Sequence, residues 1–316
     1  MTEDLKPQKI IWAVGGGKGG TGKSFLAAGL AVALGARTGD AIAIDADLGG
    51  PNLHTLLGTQ NGARDLGDFI NNTFARLEDV AGPTPHAGLR LIRGSDSDLF
   101  LSNLGHAKKL RLIRQVRSLR AAGIIIDLGT GSAYNTLDLF LIARPGILVV
   151  TPEPTSVENA YFFLRSCAGR ILRMYAQYFK MSRLADRLAK ELEGGARTLR
   201  AFLEELRAAG GPEAGVLLTA LRNFRPALVV NKARTDKDLL LGRSMADVAA
   251  KYFFINVDVL DTVPFDERVH WSLLKRVPFM SEFPGSPAAR VIAAAAEKLL
   301  AAEAENRQPA PAAGVV

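Results

Sequence analysis

The residues with the clearest chemistry stand near the start of the chain, in Gly15-Gly16-Gly17-Lys18-Gly19-Gly20-Thr21-Gly22-Lys23-Ser24. An apolar run, Ile10–Val14, leads into this loop, and a helix-like stretch, Phe25–Leu34, leaves it. Gly17 to Ser24 meets the G-x-x-x-x-G-K-[ST] spacing in a strand-loop-helix setting. Such a loop lets backbone N–H groups curl around phosphates, and the helix N-terminus adds the positive end of a dipole. Lys23 then supplies a cation for the β- and γ-phosphates and Ser24 a hydroxyl for magnesium. The expected ligands are therefore ATP and Mg2+. The same residues also fit G-x-G-x-x-G at Gly17, Gly19 and Gly22, with Asp45 placed as a ribose-binding acid. That dinucleotide reading leaves Lys23 and Ser24 without a task, so the phosphate loop is the better account.

Three further polar residues end apolar runs: Asp45 after Ile44, Asp127 after Ile126 and Asn231 after Val230. In open α/β sheets ligands bind at the carboxyl ends of strands, so the three are expected to meet in one crevice. Carboxylates there can hold the waters of a magnesium ion and orient a water for phosphoryl transfer.

The elements that must position these groups are strands expected at Ile10–Val14, Ala41–Ile44, Leu89–Ile92, Gly123–Ile126, Ile147–Thr151, Ala227–Val230 and Ile255–Leu260. Helical stretches separate them, the pattern of a mostly parallel twisted sheet with helices on both faces. Residues 155–225 exceed what a crossover needs and read as a helical elaboration. It comprises Tyr161–Leu192 and Thr198–Ala208, with breaks at Gly194-Gly195 and Gly210-Gly211-Pro212. The expected organisation is one domain over residues 1–305 and a disordered tail over 306–316.

Lys18-Gly19-Gly20-Thr21-Gly22-Lys23-Ser24 resembles the K-G-G-x-G-K-[ST] loop of the deviant Walker A ATPases of the MinD/ParA family. Asp45-Ala46-Asp47-Leu48-Gly49-Gly50-Pro51-Asn52-Leu53 is similar to the D-x-D-x-x-x-x-N-L segment of its MinD and FlhG branch, and Thr151-Pro152-Glu153-Pro154-Thr155 to the T-x-P-E-P-T segment of the FlhG/FleN branch. The resemblance implies a P-loop ATPase that dimerises around ATP. It assigns Lys18 to the partner subunit's nucleotide, Asp45 and Asp127 with Ser24 to the magnesium network, and Asp47 to the attacking water. Asn52 is placed near the phosphates. Gly17 through Phe25 surround the nucleotide, Asn231 recognises adenine, and Val263-Pro264-Phe265-Asp266 packs on the base. Relatives often carry Ala where Asp127-Leu128-Gly129-Thr130-Gly131 has Thr130, which leaves that loop's contacts open. The function so implied is an ATP-dependent switch that positions or assembles a cellular structure such as the flagellum or division site. The alternative is a ParA-like partitioning ATPase whose dimer binds DNA non-specifically.

Over 316 residues, 48% are hydrophobic and 22% charged, a composition that supports a large packed core. The single cysteine, Cys167, excludes an intramolecular disulfide and an all-cysteine cluster site, and a cytoplasmic address is expected. No run approaches the roughly 18 apolar residues of a membrane span, and Met1–Lys9 is charged rather than signal-like. A formal charge of +7 allows anionic partners without choosing among them. His106–Arg120 carries Lys108, Lys109, Arg111, Arg114, Arg117 and Arg120, with an apolar stripe expected at Leu110, Ile113, Val116 and Leu119. Ala288–Glu305 is alanine-dominated, so no membrane contact is expected through the C-terminus. Regulatory partner proteins are expected to meet the helical elaboration.

Overall fold

The computed structural model describes residues 9–47, 50–59, 62, 64–95, 104–181 and 196–307. Eight strands form one sheet in the order β3-β4-β2-β5-β1-β6-β7-β8. They are β1 (Ile10–Gly15), β2 (Ala41–Ala46), β3 (Gly82–Pro83), β4 (Leu89–Ile92), β5 (Gly123–Leu128), β6 (Gly146–Val150), β7 (Ala227–Ala233) and β8 (Asp258–Pro264). Every pairing is parallel except that of β3 with β4. Parallel strands buried on both faces need side chains that are apolar at every step, and the burial of β2, β5 and β6 is complete along their length.

Alternate residues supply the two faces, as the strand period of two requires. Ala13, Ile42, Ile44, Ile124, Ile126, Leu148, Val150 and Val230 point to one core. It is covered by α3 (Leu66–Ile70), α4 (His106–Ser118), α5 (Tyr134–Leu141), α6 (Pro154–Tyr178), α7 (Ala196–Ala209), α8 (Gly211–Asn223) and α9 (Asp236–Phe253). Trp12, Val14, Ala43, Ile125, Ile147, Val149 and Val229 point to the other. That face is closed by α1 (Lys23–Thr38), α2 (Leu53–Leu56), α11 (Phe279–Glu282) and α12 (Pro287–Arg307), while α10 (Glu267–Lys275) lies largely outside it. The small residues of α1 let α12 approach so closely that a Cβ at Gly29 would stand 2.8 Å from Ile292.

Seven of the strands lie where the apolar runs place them, with one shift. The run Ile255–Leu260 is strand only from Asp258 onward. Ile255 and Val257 are buried in the core as the chain leaves α9 through Phe254, which adopts a left-handed φ of 58°. The two-residue β3 carries no apolar run and was not expected. In the helical elaboration α6 runs to Tyr178 and Lys180 turns left-handed at φ 57°, while residues 182–192 of the expected helical stretch lie outside the described residues. The break at Gly210 is present between α7 and α8, and the one at Gly194-Gly195 lies outside the described residues. α12 continues through Asn306 and Arg307, two residues into the expected tail, and Gln308–Val316 lie outside the described residues. Among the described residues no helix is long and apolar enough to cross a membrane.

The α4 stripe is rotated from its expected phase. Leu112, Val116 and Leu119 are buried, Ile113 is half-buried and Leu110 is exposed. Two of the six cations of His106–Arg120 are structural. Lys109 is buried and its Nζ lies 2.5 Å from Asp138 Oδ2, and Arg111 donates to the carbonyls of Phe69, Phe74 and Ala75 while its guanidinium covers the Phe69 ring.

Candidate functional site

Strand register brings the polar residues together. Asp45 is paired with Asp127 across β2 and β5, and Val14, just before the glycine loop, is paired with Asp127 across β1 and β5. The loop after β1 must pass tightly beneath α6, and Gly17 permits this: a Cβ there would stand 2.2 Å from the carbonyl oxygen of Asn159. Gly22 has φ 91°, in the region that glycine tolerates, and a Cβ there would meet Asn231 Nδ2 at 2.2 Å. Gly22 is also the N-cap of α1, so the loop hands the chain to the helix with its first N–H groups facing the crevice.

Lys23 is buried, 5% exposed, and its Nζ donates to the Lys18 carbonyl at 3.0 Å. Burial lowers its pKa, and the charges of Asp127 and Asp47 oppose that shift. Asp45 accepts N–H bonds from Leu53 at 3.0 Å and Asp47 at 3.2 Å. Burial nevertheless raises its pKa to about 6, with Arg93 among the groups that hold it down. Asp127 is fully buried, and neither carboxylate oxygen has a hydrogen-bond partner. Ser24 lies near enough to favour its ionised form without a bond of normal geometry. Burial first, and the charge of Asp45 second, raise its pKa well above the carboxylate range.

Two unsatisfied buried oxygens are costly unless another group occupies the position in the working state. A divalent cation is such a group, and oxygen donors from Ser24, Asp45 and Asp127 suit magnesium. Among the described residues no cluster of three or more His, Cys, Asp or Glu side chains forms a closed metal site. A magnesium ion here would therefore share its coordination with phosphate and water oxygens. Asp47 lies against the loop after β5, where a Cβ at Gly129 would stand 2.8 Å from its Oδ1. That loop also touches the phosphate loop, since Gly131 N–H donates to the Gly16 carbonyl at 3.3 Å.

Several expected roles are narrowed by the geometry. The Phe25 ring packs edge-on against Phe279, with centroids 5.0 Å apart. Val263 of β8 is paired with Asn231 of β7, and its side chain is buried in the core. Asn52 is exposed and donates to Gly50 O at 2.7 Å. Asn231 donates its Nδ2 to the Thr21 carbonyl at 2.7 Å and accepts from the Lys232 N–H at 2.9 Å. Its amide therefore also braces the phosphate loop.

Other contacts at the site could not be read from the sequence. Lys18 Nζ donates to Glu153 Oε2 and Thr155 Oγ1, both at 2.7 Å, at the start of α6 of the same chain. Lys232 adopts a left-handed φ of 61°, and its Nζ donates to the Gly20 carbonyl at 2.7 Å. The Arg234 guanidinium lies 3.6 Å over the Phe265 ring, at the edge where a base would enter. The Thr151–Thr155 segment marked Glu153 and Thr155 without revealing this contact, and Lys232 directly follows Asn231 on β7.

A phosphate loop, a buried lysine and paired carboxylates at the carboxyl edge of a parallel sheet define a nucleotide-binding α/β domain of the P-loop class. More narrowly, residues 12–279 match the CobQ/CobB/MinD/ParA nucleotide binding domain, and the chain belongs to that family. It is 32% identical over 164 residues to the antiactivator FleN of Pseudomonas aeruginosa, a match covering 51% of this chain and 57% of FleN. An uncharacterized ATP-binding protein of Methanocaldococcus jannaschii is 25% identical over 299 residues, 94% of this chain and 89% of that one. The septum site-determining protein MinD of Pyrococcus horikoshii, solved with Mg-ADP, superimposes with a TM-score of 0.59. That superposition covers 92% of this chain and 96% of MinD at 20% identity, a likeness of fold. The chain thus spans little more than half of FleN.

Proposed function

We propose that this chain is an ATPase of the MinD/FlhG branch that binds ATP with magnesium, dimerises around it and hydrolyses it to ADP. In this reading it acts as a switch on partner proteins that position or assemble a cellular structure such as the flagellum or division site. The observation that carries the reading is the pair of unpartnered buried Asp127 oxygens, next to Asp45 and across from the buried Lys23. Bound magnesium would neutralise phosphate charge and share oxygens of Ser24, Asp45 and Asp127. Lys23 binds phosphate oxygens, giving up its bond to the Lys18 carbonyl for a charge-assisted one. Asp47 orients the water, and the loop over Gly129–Gly131 closes the far side of the phosphate loop. Lys18 serves the second subunit only after leaving Glu153 and Thr155, so assembly exchanges an intrachain ion pair for an intersubunit contact. Calorimetry with ATP and magnesium tests the pocket. Micromolar binding that disappears without magnesium is expected, and no heat with folded protein would remove the assignment.

The DNA-binding alternative draws on the exposed cations of residues 106–120 that remain, Lys108, Arg114, Arg117 and Arg120, with Lys109 and Arg111 already committed to the fold. Salt-sensitive retention of DNA by the ATP form alone would favour it.

A further inference from the structure

Helix α10, Glu267–Lys275, exposes what a surface helix ordinarily buries. Only Ser272 is fully buried, and Val269 is the other residue that packs inward. Trp271 is 53% exposed, Leu273 46% and Leu274 61%. At 100° per residue, Leu273, His270, Leu274 and Trp271 follow one another around a single arc, with Lys275 at its edge. Glu267 stands on that arc at the amino end, and Arg268 is answered by Asp266 at 3.6 Å. The side chains of Lys275 and Arg276 have no hydrogen-bond or ion-pair partner among the described residues, and Arg276 caps the helix at φ 53° with its backbone N–H donating to the Leu273 carbonyl. A single exposed leucine needs no explanation, but three large apolar side chains with two unpaired cations on so short a helix form a patch that does.

We infer that α10 is a contact surface for an anionic lipid bilayer. Trp271, Leu273 and Leu274 enter the boundary between headgroups and acyl chains, and Lys275 and Arg276 meet lipid phosphates. Tryptophan settles at that boundary, and short basic helices with one apolar face lie in it. Nucleic acid would use the two cations but gain nothing from the leucines, which have no π-face to stack on a base. The patch is separate from α12, whose exposed face offers mainly alanine and glutamate, and the inference does not depend on the nucleotide reading.

The chain reports on this surface by itself. Of its two tryptophans Trp12 is fully buried, so an emission change on adding lipid belongs to Trp271. The full chain is titrated with vesicles of phosphatidylglycerol and phosphatidylcholine, with phosphatidylcholine vesicles alone, and with duplex DNA. Expected are a blue shift and quenching by brominated acyl chains with the anionic vesicles only, weakened by salt. Lys275→Glu with Arg276→Glu should weaken partitioning by about tenfold or more. Leu273→Ser with Leu274→Ser should abolish co-sedimentation, with circular dichroism unchanged because both side chains are already exposed. The inference is overturned by absence of binding, by equal binding to neutral vesicles, or by binding that survives both double variants. It is equally overturned if Trp271 responds to DNA instead, or to ATP without lipid, the sign that a second copy of the chain covers the patch.

Discussion

Asp138 is the sharpest single test of how the helices around the site are held. Its carboxylate lies in α5 and joins α4 to α6: Lys109 Nζ is 2.5 Å from Oδ2, and Arg170 donates from Nε at 2.6 Å to Oδ1 and from Nη2 at 2.9 Å to Oδ2. Burial pushes its pKa up, but the hydrogen bonds and charges of Arg170 and Lys109 outweigh this and hold it below the usual aspartate value. Asp138→Asn keeps the shape and removes the charge, leaving two cations in place with side chains only 9% and 18% exposed. An uncompensated buried charge costs about 3–5 kcal/mol. Arg170 already lies over the Tyr134 ring, 5.2 Å from its centroid, a contact that survives the substitution, so the lower end, about 3 kcal/mol, is expected. Because the folded pKa is depressed, the contribution of Asp138 is complete above the ordinary aspartate pKa and is lost as pH falls through the folded value. Urea unfolding of the nucleotide-free protein at neutral pH measures the loss as a lowered midpoint at unchanged slope. Combining Asp138→Leu with Lys109→Met and Arg170→Met should recover most of it, since apolar replacement of a buried ion cluster is often near neutral. A loss below about 1 kcal/mol for Asp138→Asn would show that the cluster is hydrated and that the burial argument fails.

Other expectations follow from the same geometry. Lys23→Ala should abolish ATP binding in calorimetry without unfolding the protein, since the buried cation is a desolvation cost in the empty pocket; unchanged affinity would be decisive against the pocket. Replacing exposed arginines on residues 155–225 should weaken capture of partner proteins and spare ATP turnover, whereas loss of turnover in a folded variant would place that segment in the active site. Truncation after Arg307 should leave vesicle binding unchanged, and its disappearance would move the lipid contact to the C-terminus.

Much of the frame was legible because parallel strands buried on both faces must be unbroken apolar runs, and Asp45, Asp127 and Asn231 interrupt those runs where the crevice lies. The phosphate loop was legible because backbone approach and phosphate charge demand glycine and lysine at fixed spacing. What escaped depends on tertiary contacts that spacing does not encode. Lys109, Asp138 and Arg170 come from three helices, so nothing local distinguished Lys109 from its exposed neighbours on α4. Leu110 is exposed and Leu112 buried because packing against the Leu77–Val80 turn, not its own periodicity, sets the rotation of α4. Ile255 and Val257 read as strand but are anchored in the core before pairing begins at Asp258. The intrachain hold of Glu153 and Thr155 on Lys18 arises from the closeness of β6 to β1.

The central claim, an ATP-driven switch between monomer and dimer, rests on Lys18 and Asp47 failing in opposite ways. Light scattering of the Asp47→Ala and Lys18→Ala variants with ATP and magnesium measures this directly. Asp47→Ala should still bind ATP and accumulate at roughly twice the 33.8 kDa monomer mass, because assembly precedes hydrolysis. Lys18→Ala should bind ATP and remain a monomer, because a charge-assisted contact worth a few kcal/mol, or about a hundredfold in dimerisation, is missing. A monomeric Asp47→Ala variant, or a Lys18→Ala variant that dimerises as the unaltered protein does, would contradict the switch even with the phosphate loop intact.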